Sequence, residues 1–154
     1  MRLTRSISIA GAALAVYVLS ASIAAPSYAD AEPTVVEIPN CAFLDGGVAT
    51  VEAGEVAAAT GGWGEKSLGK LKQFLSSQQT TMTVQYGSAP ATITDLTDQW
   101  SEPASFEKDW FSLLPIVPLG TLAPGDTVLV RVQLSQTKPE PGGSSDYSCL
   151  ITAV

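Results

Sequence analysis

Histidine is absent from all 154 residues. That absence removes the general base of a Ser-His-Asp triad, the partner of an activated cysteine, and the imidazole ligands of a histidine-held zinc. Cations are scarce as well: eight Lys and Arg stand against fifteen Asp and Glu, a formal net charge of −7. Nucleic acid backbones and anionic lipid surfaces both require a basic footprint, so neither is a default partner. No D-x-D-x-D-G spacing spells out a calcium loop. Neither a cofactor nor a metal is implied.

What is present begins with an export pattern. Arg2 and Arg5 form a cationic start, Ile7 to Ala25 is apolar or small, and Ser27-Tyr28-Ala29 supplies small residues at the two positions a signal peptidase reads. Residues 1–29 are therefore expected to be a signal peptide cleaved after Ala29, and the product to be secreted or extracellular without further membrane contact. The same run is just long enough to span a bilayer, so retention as an anchor stays open. Cleavage leaves six basic against fifteen acidic side chains. The remaining chain is about 125 residues, the size of one domain.

The only cysteines are Cys41 and Cys149. In an exported chain two cysteines are expected to pair. Their bridge closes a loop of just over a hundred residues, worth about 4–5 kcal/mol in the chain-entropy picture. Such a bond is a staple between terminal strands.

Strand signals dominate the rest. Val128, Val130, Val132 and Leu134 alternate with Leu129, Arg131, Gln133 and Ser135, the pattern of an antiparallel sheet wet on one side. Thr80 to Tyr86 alternates too and leads through Gly87-Ser88-Ala89-Pro90 into Ala91 to Leu96, which predicts a hairpin. Val48–Val51, Val56–Thr60 and Tyr147–Val154 are further strands, and Trp110, Ser112 and Leu114 would share one strand face. Residues 30–40 read as a linker or edge segment, Ser101 to Ser105 as a loop, and Lys138 to Ser145 as a loop because its prolines lack amide donors. The expected fold class is all-β, a β-sandwich over residues 41–154 with one short crossover helix.

Two stretches carry a family likeness. Thr121-Leu122-Ala123-Pro124-Gly125-Asp126-Thr127-Val128-Leu129-Val130 resembles the turn and strand of bacterial immunoglobulin-like and fibronectin-III-like modules, and Val51-Glu52-Ala53-Gly54-Glu55-Val56 resembles their earlier strand pair. Tyr147-Ser148-Cys149 is similar to the tyrosine corner of immunoglobulin domains. No tryptophan follows Cys41 at the usual distance, which sets an antibody-type core aside. The resemblance implies that the sandwich is immunoglobulin-like, which is a scaffold and not an activity.

The helical spacing lies in Gly61 to Leu75. Leu68, Leu71, Phe74 and Leu75 fall on one face, with Lys66 and Lys70 opposite and Lys72 at the flank. The plain reading is an amphipathic crossover with a solvated lysine face; the functional reading is a cationic contact site for an anionic glycan or an acidic partner. Ser67-Leu68-Gly69-Lys70 matches the S-x-x-K of penicillin-recognising enzymes, but no K-T-G accompanies it.

Asp95, Asp98, Glu102, Glu107 and Asp109 could supply a glycosidase pair or calcium ligands, and are more simply a solvated surface. Trp63, Trp100, Trp110, Phe106 and Phe111 could form a platform for sugar rings, and are more simply core anchors. The expected function is that of a secreted, non-catalytic binding or structural module whose partner is a protein or glycan of the bacterial envelope. A carbohydrate-binding module using the aromatics is the first alternative, and a small carboxylate hydrolase the second.

Overall fold

The computed structural model describes residues 32–136 and 144–154. The expected signal peptide and most of the predicted 138–145 loop lie outside them. Among the described residues the chain forms eleven strands and two helices: β1 Thr34–Glu37, α1 Ile38–Phe43, β2 Val48–Val51, β3 Gly54–Ala59, β4 Gly62–Glu65, α2 Leu68–Leu75, β5 Gln78–Tyr86, β6 Thr92–Asp95, β7 Ala104–Phe106, β8 Asp109–Leu113, β9 Ile116–Leu122, β10 Thr127–Gln136 and β11 Ser145–Ala153. The fold is all-β with three sheets, ordered β1-β3-β9, β2-β11-β10-β5-β6 and β4-β8-β7. Two of these are mixed, since β1 runs parallel to β3 and β2 parallel to β11.

The five-stranded sheet is built on the alternation of β10. Val128, Val130, Val132 and Leu134 are buried while Leu129, Arg131, Gln133 and Ser135 face out. Fully burying each such side chain stabilises by roughly 1.5–3 kcal/mol before the entropy of ordering is counted. On either side, β5 contributes Met82 and Val84 and β11 contributes Cys149, Ile151 and Ala153. These meet Val36, Val56, Ala58, Leu119 and Leu122 of the β1-β3-β9 sheet in one core. Two tyrosines tie the sheets at their ends: Tyr86 donates its hydroxyl to the Leu119 carbonyl (2.8 Å) and Tyr147 to the Thr60 carbonyl (2.7 Å).

The two smaller sheets are segments of one bent ribbon. Pairing of β3 with β9 runs from Gly54↔Leu122 to Ala59↔Ile116, and pairing of β4 with β8 resumes at Gly62↔Leu113. At the break the Leu114 amide donates to the Gly61 carbonyl (2.9 Å) and the Thr60 hydroxyl to the Pro115 carbonyl (2.8 Å). Pro115 has no amide to continue the ladder. Gly61 sits at φ +113, and a Cβ there would lie 2.8 Å from the Tyr147 hydroxyl. Only glycine fits that corner.

Cys41 and Cys149 form the expected disulfide, with a Cα–Cα distance of 5.7 Å. It does not join two terminal strands. Cys41 lies in α1, so the bond ties a six-residue helix to β11. That helix is a second one beyond the single crossover expected, started by Pro39 in its first turn, where a missing amide costs nothing. Within the expected linker or edge segment, residues 34–37 form an edge strand of the β1-β3-β9 sheet. Three further expectations are corrected. Gly62–Glu65 is strand, so the helical stretch begins only at Leu68. Ala104 and Ser105 lie in β7. The neighbouring β2 and β3 do not pair but enter different sheets.

Candidate functional site

Helix α2 closes a second, smaller core. Ser67 is extended (φ −139, ψ 143) and its Oγ accepts from the Lys70 amide at 3.3 Å, so the S-x-x-K pattern is an N-cap. Leu71 and Phe74 are buried beneath the helix with Leu134 of β10. Phe74 stacks on Trp63 (centroids 4.5 Å apart, planes 8° apart) and meets Trp100 edge-on at 5.7 Å. Both geometries suit the quadrupoles of aromatic rings. Trp110 packs against the same cluster, and Trp63 donates its indole N–H to Glu65 (3.2 Å).

The three tryptophans are therefore half-buried members of a core and do not form a flat exposed platform. Trp100 differs from the other two by also packing on the main core. It lines a depression of about 340 Å³ between the C-terminal end of α2 and residues 97–103. Lys72, Leu75, Ser76, Thr97, Asp98, Ser101, Glu102 and Pro103 line it with Trp100. The indole is thus set among two carboxylates, an ammonium and three hydroxyl side chains.

The rim of this cleft is pinned at both ends. Asp95 accepts from the Thr97 amide (2.9 Å), an Asx turn legible in principle from Asp95-Leu96-Thr97. These hydrogen bonds from Thr97 hold the Asp95 carboxyl below the ordinary aspartate range. Thr97 in turn accepts from the Thr80 amide (3.1 Å) on its hydroxyl and from Gln78 Nε2 (2.9 Å) on its carbonyl. At the far end Ser112 donates its hydroxyl to the Ser101 carbonyl (2.6 Å), and Ser101 exchanges backbone and side-chain bonds with Leu113. Thr97, Ser101 and Ser112 were not singled out by sequence, because hydroxyl residues carry no signal until their partners are known.

The remaining candidates fall elsewhere. Lys66 precedes the helix and lines a separate depression with Glu107, Lys108 and Asp109 on the β7–β8 turn. Lys70 is solvated, and Lys72 belongs to the Trp100 cleft. The three lysines thus do not act as one patch. The five carboxylates divide likewise: Asp95 serves the Asx turn, Asp98 and Glu102 face the cleft, and Glu107 and Asp109 lie at the hairpin tip. Phe106 projects from that tip at 70 % exposure, while Phe111 lies across Gly64, where a Cβ would sit 2.6 Å from its ring.

Among the described residues no three His, Cys, Asp or Glu side chains gather to hold a metal ion. Nor is any helix there long and apolar enough to cross a membrane. Comparison with protein-family models, with curated proteins and with solved structures finds no match to this chain.

Proposed function

We propose that the protein is a secreted, non-catalytic binding module on an immunoglobulin-like β-sandwich, and that the cleft beside Trp100 receives a neutral sugar ring of an envelope glycan. One observation carries this reading: Trp100, Asp98, Glu102 and Lys72 surround one depression whose rim is hydrogen-bonded to β5 and β8 at both ends. An aromatic face supplies apolar contact to the C–H side of a sugar, and charged groups at its edge exchange hydrogen bonds with hydroxyls. A rim already held in place loses little freedom on binding. The division of the lysines between two depressions, each shared with carboxylates, favours no anionic ligand.

The experiment is retention on insoluble glycans, followed by titration with soluble oligosaccharides while tryptophan emission is recorded. Asp98→Ala combined with Glu102→Ala is expected to weaken retention at least tenfold with an unchanged melting temperature. Equal retention by that variant would remove the cleft from the account.

A further inference from the structure

The outer face of the bent ribbon carries apolar side chains that the main core does not use. On β8, Asp109, Phe111 and Leu113 alternate with Trp110 and Ser112, which turn inward. Phe106 pairs with Asp109 across the hairpin and so shares the outer face. Past the bend, Ile116 pairs with Ala59, and Ala59 with Glu37, on the continuation of that face. Phe106, Leu113 and Ile116 are 70 %, 59 % and 59 % exposed.

The face has a knob and a hole. The knob is Phe106, held out by a hairpin whose two-residue loop is Glu107-Lys108. Glu107 sits at φ +56, and the short loop fixes where the Phe106 Cβ leaves the backbone. The hole is an apolar groove of about 360 Å³ at the bend, lined by Pro39, Asn40, Gly61, Leu113 and Ile116 with Glu37 on its rim. Apolar space of about 150 Å³ already holds a benzene ring. Gly61 lets Pro39 and the Tyr147 hydroxyl close onto the chain there, since a Cβ would lie 3.0 Å and 2.8 Å from them.

We infer that the hole is filled by Phe106 of a second copy of this chain, and that the pairing is a two-fold one in which each copy gives one knob and receives one. One charge pair fits that occupant. Lys108 follows the knob by two residues in a turn it shares with Lys66, Glu107 and Asp109, while the Glu37 carboxylate, which accepts from the Asn40 amide, lines the hole. Glu107 and Asp109 flank Lys108, so the contact is driven by the ring and oriented by the Lys108–Glu37 pair. A two-fold axis makes that pair twice and closes the assembly at two copies. Knob and hole are separated along β8, from Asp109 to Leu113, by about 13 Å at ~3.3 Å per residue. Each copy buries one ring of about 150–250 Å² and the groove that receives it, less than the ~800 Å² per partner of a stable complex, so the dimer forms and dissociates with concentration. The Trp100 cleft lies outside this face, so the two proposals stand or fall separately.

Sedimentation velocity on the mature chain from about 1 µM to about 1 mM tests it. A reversible monomer–dimer equilibrium is expected. Phe106→Ser and Ile116→Asp should each weaken it at least tenfold while leaving the melting temperature unchanged, because both side chains are exposed. Lys108→Glu should weaken it and Lys108→Glu with Glu37→Lys should restore it. A monomer at every concentration, a dimer indifferent to Phe106 and Ile116, or chains that keep growing would each overturn the proposal.

Discussion

The main core and the aromatic core are built by different means. Between the five-stranded sheet and the β1-β3-β9 sheet the buried side chains are almost all aliphatic, set by strand alternation, and crossed by the Cys41–Cys149 bond. Under α2 the fully buried set shrinks to Leu71, Phe74 and Leu134, and stability falls to ring contacts with half-buried tryptophans. A core that keeps some ring surface at the solvent boundary can offer it to a ligand, whereas a sealed aliphatic core cannot. The difference places rigidity in one region and the candidate site in the other, with Trp100 packed against both.

The largest expected effect removes the staple. Cys41→Ala with Cys149→Ala should lower stability by about 4–5 kcal/mol through the long loop released in the unfolded chain, read as a lower denaturant midpoint of the whole protein. Phe74→Ala should cost about 3–5 kcal/mol and red-shift tryptophan emission before the sheets unfold. Emission and far-ultraviolet signal lost in a single step would mean that the two cores are one. Both outcomes can be read from one denaturation series.

Smaller changes sharpen the contrast. Tyr147→Phe removes a bridge between the sheets and should cost about 1 kcal/mol at neutral pH. Burial pushes the Tyr147 hydroxyl up to about 12. The folded value therefore lies above the unfolded one near 10, so this contribution is complete below pH 10 and is lost as pH rises from about 10 to about 12. Thermal melts across that window should fall more steeply for the native protein than for Tyr147→Phe. Glu107→Gly relieves a positive φ in a two-residue turn and should raise stability by about 0.5–1 kcal/mol. Ser67→Ala deletes a long capping bond and should cost about 0.5 kcal/mol, felt in α2 and hardly in the sheets.

The sheets were legible wherever alternation is local. The β10 and β5 patterns, the Gly87–Pro90 turn and the apolar face of α2 each arise from neighbours within a few residues. The parallel pairing of β1 with β3 and β2 with β11 is not local, and no period records it. Helix α1 is only six residues, too short for an apolar stripe, with Pro39 its sole marker. Gly62-Trp63-Gly64 was misread because its glycines serve close packing, Gly62 beneath Leu113 and Gly64 beneath Phe111. At the site, Trp100 and Asp98 were visible as candidates. Their meeting with Lys72 depends on α2 docking against residues 97–103, which only the tertiary fold brings about.

Native-state hydrogen exchange with the disulfide intact tests the division of labour between the two cores most directly. Amides of β5, β10 and β11 should open only with global unfolding, while those of α2 and β4 exchange together through a lower-energy opening that spares the larger sheets. Equal protection throughout, or α2 outlasting β10, would contradict it.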